Sequence, residues 1–156
     1  MNEYATILAL DASSTTIGYC LYDGTVLDHG EIKLSGADIA DRCRLAFAQF
    51  NGLLALYPLP DVIAIESPVA RFGSAVIAQA RVSGALLCAA SLKHILVVEV
   101  APQLAKKALT GRGNADKAAM MAAARERYGV RGEHASDALG VALAARGMVE
   151  VERQAA

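Results

Sequence analysis

The chain has 156 residues, enough for one core, and we expect residues 1–156 to form a single domain. Hydrophobic residues make up 54% of it, but 32 residues are Ala, which favours packed helices over a membrane span. The net charge of −1 predicts no general attraction to nucleic acid. However, residues 101–131 hold seven of the fifteen basic side chains and two of the sixteen acidic ones, a local excess that a polyanion would sense.

The cysteines and the N-terminal residues indicate a cellular compartment. Cys20, Cys43 and Cys88 are odd in number and widely spaced, so we expect reduced, buried thiols and neither disulfides nor a zinc site. The chain does not begin with a basic region followed by an apolar run and a cleavage site. We therefore expect a cytoplasmic protein, in a bacterium or in the host of a virus, with no membrane partner.

Hydrophobic periodicity predicts three strands first, then helices alternating with two further strands. The Asp23–Gly24 pair is a hairpin signal, so the second and third strands should be antiparallel. Pro58 and Pro60 should end the first helix, and Asn114 is a plausible N-cap for the fourth. The predicted strands are 6–11, 17–22, 26–34, 61–66 and 95–100; the predicted helices are 38–57, 74–93, 102–109, 115–128 and 133–148.

This order of elements predicts an α/β fold. A three-stranded antiparallel meander followed by β-α-β units gives a mixed five-stranded sheet with helices on both faces. Ligands of such sheets gather at the carboxyl ends of neighbouring strands. Two of the predicted strands end in carboxylates, Asp11 and Glu66, which is the first functional clue.

The acids at these strand ends predict a metal site. An ionised carboxylate after a buried strand is costly unless a cation or a donor compensates it. A third acid, Asp137, follows His134 by three residues, so both would face the same way on a helix. Carboxylates around one point suit hard cations such as Mg²⁺ or Mn²⁺. Two such ions could activate water and stabilise the leaving oxygen of a phosphodiester.

Each of these residues also has an ordinary structural interpretation. A strand-end Asp often makes a turn, Asp137 could favour a helix N-terminus, and His134 alone could be a surface or capping residue. Only the joint placement of all four favours chemistry.

A basic segment follows the fifth predicted strand. Its cationic side chains are Lys106, Lys107, Arg112 and Lys117, and they surround the Gly-rich residues 110–114. We call the whole segment, residues 106–117, the basic turn. Glycines permit close approach of the backbone, and a helix N-terminus offers N–H groups to a phosphate. Few acids flank this segment, so we expect it to contact DNA, although a solvated helix surface is the alternative. Near Glu66, Arg71 and Phe72 could contact DNA, with Phe72 stacking on an unpaired base, or Phe72 could belong to the core.

Several ordered motifs resemble those of the RuvC family of Holliday junction resolvases. They are residues 8–11 (LALD) followed by Gly18, residues 65–66 (IE), 79–81 (QAR), 102–106 (PQLAK), 111–117 (GRGNADK) and 134–139 (HASDAL). The resemblance covers nearly the whole chain, in order and at similar spacing. The short chain would also suit a viral or prophage member.

The resemblance implies an RNase H-like fold and a homodimer that resolves four-way DNA junctions by paired nicks, using Mg²⁺ and leaving 5′-phosphate and 3′-hydroxyl ends. Carried over, Asp11 would bridge two metal ions, Glu66 would hold one, and His134 with Asp137 would hold the other. Lys106 and Lys117 match basic positions that neutralise phosphates, and Arg81 on the long helix falls in a familiar motif. Many relatives have an acid where His134 stands, so a preference for Mn²⁺ is possible.

Two other functions compete with this one. Residues 11–18 also resemble the phosphate-binding hairpin of sugar-kinase or actin-like ATPases, but such enzymes close two domains around ATP and would not explain His134 and Asp137. A nuclease for branched DNA in general, or a non-catalytic DNA-binding module of the same fold, is the other alternative. The intact acidic set argues against an inactive module.

Overall fold

The structure is a computed structural model that describes residues 5–69 and 73–155. Every strand and helix predicted above is present. The strands are β1 (Ile7–Ala12), β2 (Thr16–Tyr22), β3 (Val26–Lys33), β4 (Val62–Glu66) and β5 (Leu96–Val100). The helices are α1 (Ile39–Leu54), α2 (Ser74–Ser91), α3 (Pro102–Thr110), α4 (Lys117–Tyr128) and α5 (Glu133–Ala155).

The strands form one mixed sheet in the order β3-β2-β1-β4-β5. The first three strands are antiparallel neighbours, and the Asp23–Gly24 turn joins β2 to β3 as predicted. Strand β4 lies parallel to both β1 and β5. The meander with added parallel strands is therefore confirmed, and with it the predicted fold class.

Both faces of the sheet are buried, and alternate residues of each strand face opposite ways. In β1, Ile7 and Ala9 pack with α3, α4 and α5, whereas Leu8 and Leu10 pack with α1 and α2. A strand that is apolar on both faces reads as an unbroken hydrophobic run, which is how β1 and β4 appear in the sequence. This alternation decides which helices meet the acids at the strand ends.

Some predicted helix ends were wrong. The N-cap of α4 is Asp116 and not Asn114, because the Asp116 carboxylate accepts a hydrogen bond from the N–H of Ala119 at 2.8 Å. The first helix ends at Leu54, and a turn precedes Pro58. The last helix continues to Ala155, seven residues beyond the predicted end.

The three thiols differ in their surroundings. Cys20 is buried as predicted, and burial raises its pKa to about 12, which makes that thiol inert. Cys43 is half-buried and Cys88 on α2 is exposed, so the prediction that all three are buried was wrong for Cys88. The Ala-rich α2 buries one side only, and Cys88 lies outside it.

One helix of the described residues, α2, is long and apolar enough to cross a membrane by length and composition alone. A single helix of this length and composition is weak evidence for a membrane span. In this fold Val82 and Leu86 of α2 pack against the sheet and α1.

Candidate active site

Two of the predicted site residues lie side by side at the edge of the sheet. Strands β1 and β4 are parallel with Leu10 paired to Ile65, so Asp11 and Glu66 follow as neighbours at the carboxyl ends. Because Ala9 and Ala64 lie in the core beneath α5, Asp11 and Glu66, two residues further along, face the same helix. The two strands that end in these acids are therefore direct neighbours in the sheet.

The N-terminus of α5 brings His134 and Asp137 to these acids. The Nδ1 atom of His134 lies 2.9 Å from Oδ2 of Asp11, a contact between residues 123 positions apart. The helix can come this close because Gly18 lies opposite Asp11 in the sheet. A Cβ atom at Gly18 would lie 2.1 Å from the carbonyl oxygen of His134, so any side chain there would displace α5.

A cleft of about 410 Å³ opens over the four residues. The turn between β1 and β2 forms one side of it, and α2 and the start of α5 form others. Its lining residues are Asp11, Ala12, Ser13, Ser14, Glu66, Ala75, Val76, Gln79, Lys117, Glu133, His134 and Asp137. We call this the carboxylate cleft.

Burial and the proximity of other acids both favour the protonated forms of two carboxyl groups in the carboxylate cleft. Burial, with the charges of Asp11 and Asp137, raises the pKa of the Glu66 carboxyl to about 8. Burial and the charge of Asp11 likewise raise the pKa of Asp137 to about 7, although His134 and Lys106 oppose the shift. The hydrogen bond to Asp11 raises the pKa of His134, which favours a positive imidazolium between the acids.

The donor set of the carboxylate cleft fits a hard divalent cation in its chemistry. Carboxylate oxygens suit Mg²⁺ and Mn²⁺, and a cation would offset the burial and the repulsion that raise the pKa values of Glu66 and Asp137. Within residues 5–69 and 73–155, however, no three His, Cys, Asp or Glu side chains already converge as a metal-ligand set. His134 instead hydrogen-bonds Asp11 directly, and its other ring nitrogen, Nε2, is the one that could bind a metal.

The predicted DNA-binding residues occupy different surroundings. Lys106 is half-buried, and its charge opposes the rise in the pKa values of both Glu66 and Asp137. It therefore lies close to the carboxylate cleft. Lys117 lines the cleft and forms an ion pair with Glu133, which raises the pKa of Lys117. Lys107, in contrast, lines a separate groove between α3 and α5.

Of the four remaining predicted DNA-binding residues, two are exposed and two are not described. Arg112 in the basic turn and Arg81 on α2 are exposed. Arg71 and Phe72 lie outside the described residues.

Two acids that the sequence did not single out also belong to this region. Glu133 lines the carboxylate cleft, and its position next to His134 could have indicated it. Glu31 in β3 accepts a hydrogen bond from the backbone N–H of His134 at 2.9 Å. Because 103 positions separate these partners, no local signal could have revealed Glu31.

Comparison with known proteins identifies the family. A family model described as crossover junction endodeoxyribonuclease RuvC matches residues 7–145. The chain belongs to the RuvC family. The RuvC of Gloeobacter violaceus is 34% identical over 151 residues, which cover 88% of this chain and 85% of the relative. The RuvC of a Janthinobacterium species is 31% identical over 148 residues, covering 88% of this chain and 81% of the relative.

A solved RuvC structure has the same fold. The structure titled T. thermophilus RuvC in complex with Holliday junction substrate superimposes with a TM-score of 0.78 at 24% identity. The match covers 94% of this chain and 96% of the other. The predicted RNase H-like fold is thereby confirmed.

RuvC membership also determines the class of enzyme. Members are crossover junction endodeoxyribonucleases, and the family is one of metal-dependent nucleases, so the prediction of a DNA-cleaving hydrolase is confirmed. The match argues against the ATPase alternative for residues 11–18. Within that segment the Ser13 hydroxyl accepts hydrogen bonds from the N–H groups of Thr15 and Thr16, which commits it to shaping the turn.

Proposed function

We propose that this chain resolves Holliday junctions by paired nicks, with two Mg²⁺ ions held by Asp11, Glu66, His134 and Asp137. The observation that carries the proposal is that these four side chains, from β1, β4 and α5, line the same cleft. A relative of the same fold is described in complex with a Holliday junction substrate, which supports this choice of DNA.

The chain's own residues divide the chemistry between them. Asp11 and Glu66 would supply the ligands between neighbouring strands, and His134 with Asp137 those from α5. When bound there, divalent ions supply Lewis-acid activation of water and of the phosphodiester, leaving a 5′-phosphate and a 3′-hydroxyl. Mn²⁺ is an acceptable substitute, because imidazole is a softer ligand than carboxylate.

Cationic side chains beside the carboxylate cleft would hold the DNA backbone. Lys106 lies near the acids and Lys117 lines the cleft, which supports assigning both to the phosphates at the cleaved bond. We assign Lys107, Arg112, Arg81, Arg71 and Phe72 to more distant contacts with the junction.

The test of this function is cleavage of a synthetic immobile four-way junction beside a linear duplex of matched sequence, with Mg²⁺, Mn²⁺ or EDTA. We expect symmetric paired nicks in the junction alone, abolished by EDTA and by Asp11→Asn. Equal cleavage of duplex and junction would show that the enzyme is a general nuclease without specificity for junctions. Absence of cleavage with every metal, together with tight junction binding, would favour a non-catalytic DNA-binding module.

We further propose that the enzyme acts as a homodimer, because two symmetric nicks need two carboxylate clefts. The outer side of α2 supports this proposal, since it is exposed and, apart from Arg81, carries small and apolar side chains such as Ile77. Ile77 on this helix is 54% exposed, and only 28% of the helix is buried. Such a surface is typical of a subunit interface.

Sedimentation of the purified protein tests the homodimer. Ile77→Lys should shift the protein towards monomer at micromolar concentration. The matched control is Leu56→Lys, which places the same charge at a leucine that is 72% exposed in the turn after α1. A wild-type monomer at micromolar concentration would argue against symmetric resolution.

We also infer that residues 1–156 form one nuclease domain that acts on DNA in the cytoplasm.

A further inference from the structure

The N-terminus of α5 lies over a row of paired residues that crosses three strands. Asp11 in β1 pairs with Gly18 in β2, and Gly18 pairs with Glu31 in β3. Directly paired residues project from the same face of a sheet. The row therefore presents two carboxylates to α5, with a gap between them where Gly18 has no side chain.

The start of α5 fills that gap and contacts both carboxylates through one residue. The ring of His134 lies 2.9 Å from Asp11 at one end of the row, and its backbone N–H donates to Oε1 of Glu31 at 2.9 Å at the other. Gly18 makes this geometry possible, because a Cβ atom there would overlap the His134 carbonyl.

Glu31 takes the role that an N-cap side chain usually has. An N-cap oxygen accepts a hydrogen bond from the second or third N–H of its helix. Gly132 precedes α5 and has no side chain that could accept a hydrogen bond. The carboxylate of Glu31 in β3 accepts the hydrogen bond from the N–H of His134 instead. Its negative charge also suits the positive end of the helix dipole. A Cβ atom at Gly132 would lie 2.7 Å from Oε1 of Glu31, so the glycine leaves room for this cap.

The strand that carries Glu31 is held firmly, although it lies at the edge of the sheet. Asp28 of β3 accepts a hydrogen bond from the Tyr19 hydroxyl at 3.2 Å and another from the Tyr57 hydroxyl. These contacts tie β3 to β2 and to the turn after α1. Glu31 therefore projects from a fixed support and not from a loose edge.

We propose that Glu31 is a positioning residue that caps α5 from β3 and thereby holds His134 against Asp11. This inference rests on the proposed function for its effect on catalysis, but the contact itself exists without metal or DNA. Glu31 is not a ligand in this scheme. It acts chiefly through the backbone of His134, which places the imidazole and, one turn later, Asp137, and its charge also helps to raise the pKa of His134.

The first readout is the imidazole of His134 in the metal-free protein, followed by its ring ¹⁵N resonances. The chain has three histidines, so assignment needs only His29→Gln and His94→Gln spectra. Glu31→Ala should shift the His134 resonances, because the ring loses its fixed contact with Asp11. Glu31→Gln should shift them much less than Glu31→Ala does, because the amide oxygen can still accept the hydrogen bond and only the charge is lost.

The second readout is cleavage of a four-way junction under steady-state conditions. Residues that support metal ligands change affinity or activity by about 10–100-fold, so Glu31→Ala should lower kcat by about tenfold and weaken Mg²⁺ binding similarly. KM for the junction should stay the same, because no basic contact is lost. Glu31→Gln should restore kcat to within about twofold of the wild type.

Asp38→Ala is the matched control for a general loss of stability. Asp38 caps α1 by accepting the N–H of Asp41 at 2.8 Å, on the opposite face of the sheet. This variant should lower the melting temperature about as much as Glu31→Ala and leave the His134 resonances and kcat unchanged. Unshifted His134 resonances in a folded Glu31→Ala protein would overturn the proposal, and so would an equal shift of these resonances in Asp38→Ala. If the resonances respond as expected but neither the wild type nor any variant cleaves the junction, the proposed function fails and the positioning role of Glu31 stands.

Discussion

The carboxylate cleft and the basic turn differ in how the chain builds them. The cleft unites β1, β4 and α5 through contacts such as that between His134 and Asp11, which are 123 positions apart. The basic turn is shaped by neighbours in sequence, since the Thr110 hydroxyl shares its one proton between the carbonyl of Lys106 at 2.7 Å and that of Arg112 at 3.0 Å. Gly111 ends α3 there in the left-handed conformation.

The two regions also differ in their electrostatics. Burial and mutual repulsion raise the pKa values of Glu66 and Asp137 in the carboxylate cleft, so its charge depends on pH and on cations. Lys107 and Arg112 of the basic turn are exposed to solvent. A buried set of acids is therefore suited to chemistry at the cost of stability, whereas exposed cations can bind a polyanion with little effect on the fold.

The largest expected effect separates activity from stability within the carboxylate cleft. Glu66→Gln removes a metal ligand, so cleavage should fall by about 10³-fold or more, on the order of 4 kcal/mol of transition-state stabilisation. Junction binding should hold to within about twofold, because no cation is lost. In EDTA at pH 9 the variant should melt above the wild type, since one repulsive charge is gone. A lower melting temperature would show that the carboxylate stabilises the fold.

The next effect is the pH dependence of stability in EDTA. The folded pKa values of Glu66 and Asp137, about 8 and about 7, lie above the ordinary values of 4.5 and 3.8. The folded state therefore binds more protons than the unfolded state between these limits, and stability falls as pH rises through 7 and 8. The melting temperature should decrease from pH 5 to pH 9.

Glu66→Gln combined with Asp137→Asn is the control for that titration and should flatten the pH profile. Added Mg²⁺ should raise the wild-type melting temperature more at pH 9 than at pH 6, because ligands must be ionised to bind it. A wild-type profile that is flat in EDTA would contradict the charge excess assigned to the carboxylate cleft.

A smaller effect distinguishes two adjacent lysines. Lys106 lies near the acids, whereas Lys107 lines the groove between α3 and α5. We expect Lys106→Ala to lower both the affinity for the junction and kcat, and to reduce the salt dependence of binding by about one unit of slope. Lys107→Ala should reduce the salt dependence without changing kcat. Equal effects of the two variants on kcat would contradict this distinction between the lysines.

The smallest expected effect concerns the ion pair between the two regions. Lys117 at the end of the basic turn contacts Glu133 at the start of α5. Exposed ion pairs contribute little to stability, so Glu133→Gln should leave the melting temperature almost unchanged. It should tighten junction binding by about two- to threefold, because Lys117 becomes available to phosphate. Weaker binding would show that Glu133 holds Lys117 in its productive position.

The contrast between the two regions explains which sequence predictions succeeded. All ten elements were predicted, because β1 and β4 are apolar runs of strand length, α1 carries a helical period and the Ala-rich composition of α2 favours a helix. Helix ends were less accurate, since caps depend on single hydrogen bonds: Asp116 and not Asn114 caps α4. Local patterns also indicated Asp11 and Glu66, because each acid ends a buried strand.

The sequence by itself determined the order of elements, the family motifs and the presence of acids at two strand ends, because those signals lie within a few neighbouring residues. Only the tertiary structure decided what contacts what. Pairing of β1 with β4 placed Asp11 beside Glu66, and the gap at Gly18 let α5 bring His134 to Asp11. Glu31 entered the site through a hydrogen bond across 103 positions. Such contacts depend on the register of strands and the packing of helices, which periodicity along the chain does not encode.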